Sequence, residues 1–223
     1  SVPEHIDLAQ CVHCQEYQLR KGWVFYEDME EAVYDAVGES VAVSKEADLS
    51  ELIINIQQLE PTTFPAHAIA RLRYEDLQAE EHLDTVVRVK RSVCPKCNKI
   101  QGNYFESIIQ VRTAAKKLTD EEKDEVLNRV AGQIESVAMG SRDAFISKVV
   151  EEHGGFDLYI STNSLGKALA RELVSLYGAE YKESASLQGQ KDGRDIYRVT
   201  YLVRLPPYRV RDVVLFDSRP YLV

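Results

Sequence analysis

The chain has 223 residues, 44% hydrophobic and 28% charged, a globular composition with room for one large domain or two small ones. No run approaches ~18 uninterrupted apolar residues, which excludes a membrane-spanning helix. The net charge of −9 argues at first against a nucleic-acid partner, because phosphate contacts require an excess of Lys and Arg.

In chain order the first marked feature is Cys11-Val12-His13-Cys14, answered much later by Cys94-Pro95-Lys96-Cys97; the two pairs hold all four cysteines. A CxxC pair lets two thiolates face one ion from a tight turn, and two pairs complete the tetrahedron that zinc prefers. Cys11, Cys14, Cys94 and Cys97 are therefore expected to hold one structural Zn2+. The 79 residues between Cys14 and Cys94 exceed ordinary ribbon spacing. Closing such a loop costs about 4 kcal/mol, against roughly 10–16 kcal/mol of apparent binding at a structural zinc site, so binding wins. Disulfides are disfavoured because no apolar signal segment precedes the cysteines and the chain is large enough to bury a core without staples. A redox pair needs one CxxC and leaves the other without a role. Reduced cysteines point to the cytoplasm.

Residues 17–25 read as the short hairpin of a zinc ribbon, with Gly22 at the turn and the single tryptophan, Trp23, placed to shield the metal. A helix is expected over 29–37, with Val33 and Val37 inward and acidic residues outward. Three strands follow: Leu52, Ile54 and Ile56 alternate, as do Ala70, Leu72 and Tyr74, and then Val87, Val89 and Arg91, with Pro61 and Pro65 separating the first two. The third strand runs directly into Cys94. Beyond the second pair, 104–112 reads as a strand with Phe105, Ser107, Ile109 and Val111 on one face. Thr119-Asp120-Glu121-Glu122 is a capping box that opens a helix carrying Val126, Val130, Ile134 and Val137. A second helix is expected through Phe145, Ile146, Val149 and Val150, stopped by Gly154-Gly155. A strand over 156–160 leads to a helix with Leu165, Leu169, Leu173 and Leu176 inward and Gly178 at its end. A hairpin pairs 181–187 with 196–205 across Asp192-Gly193. The order from residue 104 is thus β-α-α-β-α-β-β, an α+β layer with helices on one face of a largely antiparallel sheet. Pro206-Pro207 ends it, and 208–223 read as a fresh hairpin with a polar turn at Asp217-Ser218, as though the chain were cut just inside a third domain.

Charge is unevenly distributed. Residues 24–85 carry 15 acidic against 3 basic side chains, whereas 86–118 carry 8 basic (Arg88, Lys90, Arg91, Lys96, Lys99, Arg112, Lys116, Lys117) against Glu106 alone. This is a basic limb on an acidic body, either an RNA surface or a solvated face that balances the acidic stretch. No catalytic constellation can be assembled: GxSxG, Walker and HExxH patterns are missing, and four thiolates leave no open coordination position. His13 sits inside the first CxxC turn and is expected to face solvent, while His5, His67, His82 and His153 have no evident partners in the sequence.

Cys11-x-x-Cys14-x-x-Tyr17 followed by Gly22-Trp23-Val24, then Cys94-x-x-Cys97 leading into the strand Tyr104-Phe105-Glu106-Ser107-Ile108-Ile109-Gln110-Val111-Arg112, resembles the nonsense-mediated decay protein three family, its archaeal members in particular. Gly155-Phe156-Asp157-Leu158-Tyr159-Ile160-Ser161, the helix after it and Tyr181-Lys182-Glu183-Ser184-Ala185 are similar to the family's middle region. The resemblance implies a ribosome-assembly factor that binds the large ribosomal subunit through ribosomal RNA and neighbouring ribosomal proteins, with no small-molecule substrate. It favours RNA as the partner of Arg88, Lys90, Lys96, Lys99, Arg112, Lys116 and Lys117. It also implies that 206–223 open a small β-barrel similar to the hypusine-bearing translation factor. Family members usually begin with an additional pair of CxxC motifs, and eukaryotic ones end in a tail with nuclear export and import signals; neither is present, so shuttling does not carry over. The expected fold is α+β: a zinc ribbon (1–30 with 86–112) with a long acidic β-rich insertion (31–85), an α+β layer (104–205) and the start of a barrel (206–223). A zinc-ribbon enzyme acting on RNA or on a nucleotide is the alternative.

Overall fold

The computed structural model describes the whole chain except residues 76, 116, 139, 153, 192 and 193 and the side chains of 191 and 194–196; Lys116, His153 and the Asp192-Gly193 turn therefore lie outside the described residues. The chain divides into two units, Ser1–Cys97 and Asn98–Val223, and it is mixed α+β.

In the first unit, strands β1 (His5–Cys11), β2 (Tyr17–Leu19), β3 (Gly22–Val24), β4 (Asp48–Ile56), β5 (Thr63–Tyr74) and β6 (Leu77–Ser92) form one sheet in the order β3-β2-β1-β6-β5-β4. Helix α1 (Met29–Ser40) starts where the Asp28 side chain accepts from the Glu30 backbone N–H at 3.0 Å. Its buried Ala32, Val33, Ala36 and Val37 pack on Leu8, Phe64, Ala66, Ala68, Val87 and Val89, every second residue of the central strands. Strand β1 escapes the sequence reading, because Ile6 and Leu8 are too few apolar residues to mark a strand. It is nonetheless central. It lies parallel to β6 in full register, from His5↔Val86 to Cys11↔Ser92. A parallel pair requires a long crossover, and the long cysteine interval supplies it. Pro65 lies inside β5 rather than between strands.

Helix α2 (Pro95–Gln101), which the sequence reading missed, carries Cys97 and leads the chain from the first unit into the second.

In the second unit, β7 (Ser107–Thr113), β8 (Ile146–Glu152), β9 (Gly155–Ile160), β10 (Glu180–Lys191) and β11 (Arg194–Leu205) form a sheet in the order β10-β11-β7-β9-β8, antiparallel except for β11 with β7. Helices α3 (Asp120–Ala138) and α4 (Asn163–Tyr177) contribute Val126, Val130, Leu165, Leu169 and Leu173 to a core with Ile109, Val111, Phe156, Leu158, Ile160, Tyr201 and Val203. The helix expected through Phe145–Val150 is instead β8, so the order is β-α-β-β-α-β-β. Ile146, Val149 and Val150 fit a helical spacing, but the segment is short, partly β-branched and bounded by glycines, and antiparallel pairing with β9 takes up one side of its backbone at the edge of the sheet. Leu176 and Val137, expected inward, are 47% and 40% exposed, at the ends of their helices. The capping box forms as expected: the Glu122 backbone N–H donates to Thr119 Oγ1 at 3.3 Å, and the Thr119 N–H donates to Glu122 Oε2 at 2.7 Å. Thr119→Ala should therefore lower the stability of the second unit by about 1 kcal/mol in denaturant titration. Gly178 ends α4 at φ 60°. A separate hairpin, β12 (Val213–Phe216) with β13 (Arg219–Leu222), turns through Asp217 and Ser218, both at positive φ.

Candidate metal centre

Parallel strands end at the same edge of a sheet, and here the consequence is chemical. Cys11 is the last residue of β1 and stands opposite Ser92, the last residue of β6, so both CxxC turns leave the same end of two paired strands. The turns are then tied by backbone: Val12 N–H donates to Ser92 O at 2.9 Å, and Gln15 N–H donates to Cys11 O at 2.9 Å. The Cys94 and Cys97 amides point at sulfur, Cys94 N–H to Cys11 Sγ at 3.3 Å and Cys97 N–H to Cys94 Sγ at 3.4 Å. All four Sγ atoms lie within 4.8 Å of one another, and none is in a disulfide. Cys11, Cys94 and Cys97 are buried, Cys14 is half-buried, and Trp23 packs against the cluster.

Burial works against the Cys11 thiolate, but the backbone amides of Cys14, Cys94 and His13 outweigh it and lower its pKa to about 6. Burial raises Cys14, and its cysteine neighbours raise it further; burial, then Cys94, push Cys97 up to about 11. Cys14 and Cys97 do not ionise beside Cys11 unless a cation stands among them. The geometry admits one. A tetrahedral ion with metal–sulfur bonds of about 2.3 Å separates its ligands by roughly 3.8 Å, and Cys14 Sγ and Cys94 Sγ are 3.7 Å apart. These four residues can hold a metal ion such as zinc.

The basic residues divide by partner. On β6, Val87 and Val89 face the core while Arg88 and Lys90 are exposed. Lys90 Nζ lies 2.5 Å from Asp7, Lys99 Nζ lies 2.6 Å from Asp143, and Arg112 lies 2.7 Å from the buried Asp157 while also donating to the Val111 and Phe156 carbonyls. Arg88, Arg91, Lys96 and Lys117 have no ion pair among the described residues. Two histidines, in contrast, do find partners. His67 meets both Asp84 and His82, correcting the expectation that neither has a partner. The missed signal was the register of the β5–β6 hairpin, which sets Tyr74 opposite Leu77 and so brings residues fifteen apart together. His5 and His13 are exposed.

Two family profiles match in succession: one described as "NMD3, N-terminal domain" over residues 1–102, and one described as "NMD3, second domain" over residues 104–205. The chain belongs to the NMD3 family. A search of curated proteins found no match. The NMD3 N-terminal match contains all four cysteines and the six-stranded sheet, and the NMD3 second-domain match contains the five-stranded sheet with α3 and α4. The β12–β13 hairpin lies outside both NMD3 matches.

Proposed function

We propose that this chain is an assembly factor of the large ribosomal subunit that uses one structural zinc, bound by Cys11, Cys14, Cys94 and Cys97, and contacts ribosomal RNA through the basic stretch 86–118. The observation that carries this reading is the unbroken succession of the two NMD3 matches along the chain. NMD3 is a ribosome-associated adapter family rather than an enzyme family. A site closed by four thiolates is in keeping with that, since it offers no coordination position to a substrate. Among the described residues no helix is long and apolar enough to cross a membrane.

Within the basic stretch, Lys90, Lys99 and Arg112 already have carboxylate partners, which favours Arg88, Arg91 and Lys96 as phosphate contacts in the first unit. Each phosphate neutralised releases counterions, so log K falls by roughly 0.7–0.9 per decade of salt for each contact. Replacing Arg88, Arg91 and Lys96 together by Glu should lower co-sedimentation with large subunits at least ~10-fold and flatten the salt dependence by two to three contacts' worth, with metal content unchanged. Unchanged affinity and salt slope would remove the basic stretch as the RNA surface.

A further inference from the structure

The uncovered face of the first sheet carries a cluster that the thiolate site and the family reading leave unused. Residues of β5 and β6 alternate between the α1-covered core (Phe64, Ala66, Ala68, Val87) and the opposite face. On that opposite face His67 stands across from Asp84, and His82 stands across from Ile69, so the two histidines are diagonal neighbours on adjacent strands. Asp84 Oδ1 lies 2.7 Å from His67 Nδ1. A carboxylate only accepts, so Nδ1 carries the proton and Nε2 of a neutral ring presents a lone pair. Glu80 Oε1 lies 3.4 Å from His82 Nε2. His67 Nε2 and His82 Nδ1 face each other at 3.1 Å, a distance that a single proton on His82 Nδ1 bridges as a hydrogen bond. A cation bound by both nitrogens would take the place of that proton.

We propose that His67 and His82 are a second metal site, an open two-histidine site for a divalent ion of the zinc class. With metal–nitrogen bonds of about 2.05 Å, a 3.1 Å nitrogen separation subtends roughly 100° at the ion, suited to neighbouring positions of a tetrahedral or octahedral shell. Each ring has a carboxylate on its far side, Asp84 behind His67 and Glu80 behind His82, the arrangement that fixes the tautomer of a metal-ligating histidine and raises its basicity. Glu80 is itself held by Arg71 Nε at 3.0 Å, and Arg71 also pairs with Glu51, so the support behind His82 is anchored across three strands. The His67 and His82 side chains are 40% and 58% exposed, leaving room for water to complete the shell. Imidazole nitrogens select zinc, copper or nickel over magnesium or calcium.

The test is a zinc titration of the full chain, reduced and with the thiolate site already filled, at pH 7.5, followed by competition with a chelator. A second, weaker equivalent is expected. His67→Ala and His82→Ala should each abolish it, Asp84→Asn should weaken it about 10- to 100-fold, and His5→Ala and His13→Ala should leave it intact. Hydrogen exchange of β5 and β6 amides should slow on binding in the parent and not in His82→Ala. No second equivalent, or one that survives in the His67→Ala/His82→Ala double variant, would overturn the site and leave the contact between the rings as an ordinary hydrogen bond. Neither outcome bears on ribosome binding or on the thiolate site.

Discussion

Cys94→Ser is expected to release the metal from the first unit, lower that unit's stability by several kcal/mol and leave the second unit folded. Structural zinc contributes roughly 10–16 kcal/mol of apparent binding where the apo chain is unfolded. Here part of the organisation survives without it, because β1 and β6 are paired through seven residues and hold Cys11 beside Ser92. The core under α1 is also distinct from the cluster of cysteines and Trp23. Loss of metal should therefore loosen the two CxxC turns and the β2–β3 hairpin before the rest of the sheet. Trp23 reports this directly, being the only tryptophan and packed on the sulfurs. Its emission should shift red and its quenching increase in Cys94→Ser, while far-UV circular dichroism keeps most of its amplitude. A variant that retains one metal per chain with unchanged Trp23 emission would show that Cys94 is not a ligand.

Gly155→Ala is expected to cost about 4 kcal/mol in the second unit, well beyond an ordinary substitution. A Cβ built at Gly155 would lie 2.0 Å from the Val111 carbonyl oxygen and 3.1 Å from its carbon, and both atoms are backbone. Relief would need β7 and β9 to separate where Val111 and Phe156 are buried and where Arg112 grips Asp157. Gly166→Ala also collides, at 2.1 Å with the Ser107 hydroxyl, which can rotate at the loss of its bond to Thr162 O, and at 2.9 Å with the Ser107 Cβ, which cannot. It should cost less than Gly155→Ala, because its shortest contact is with a side-chain atom free to turn rather than with backbone. Gly132→Ala in α3 is the control: nothing lies within 4 Å of its Cβ, and helix propensity should make the variant up to about 1 kcal/mol more stable. Chemical denaturation of the three variants in parallel checks the ranking, and equal effects would show that backbone clash is not what distinguishes Gly155.

The four cysteines that can hold a metal ion were legible in the chain because a CxxC turn is a local device: two thiolates three residues apart need no tertiary information to face one ion. The capping box at Thr119–Glu122, the αL end at Gly178 and the alternation of β7 were legible for the same reason, each being set by residues within one turn or one strand. Local pattern failed where two structures share it. Ile146, Val149 and Val150 suit a helix or a strand, and pairing with β9 decided for the strand. Ile6 and Leu8 are a weak signal, and β1 exists because β6 offers it a parallel partner. That pairing is what only the tertiary structure could decide, and it turns a 79-residue interval into a crossover whose two ends meet. The same holds for charge and for histidine. Composition revealed a basic stretch, but which of its cations are already paired with a carboxylate depended on Asp7, Asp143 and Asp157, all distant in sequence. His67 and His82 became a pair only through hairpin register. Sequence determines contacts a few residues long, where chain geometry leaves few options; long-range pairing is chosen by which arrangement buries the apolar faces together, and the meeting of distant polar groups follows from it.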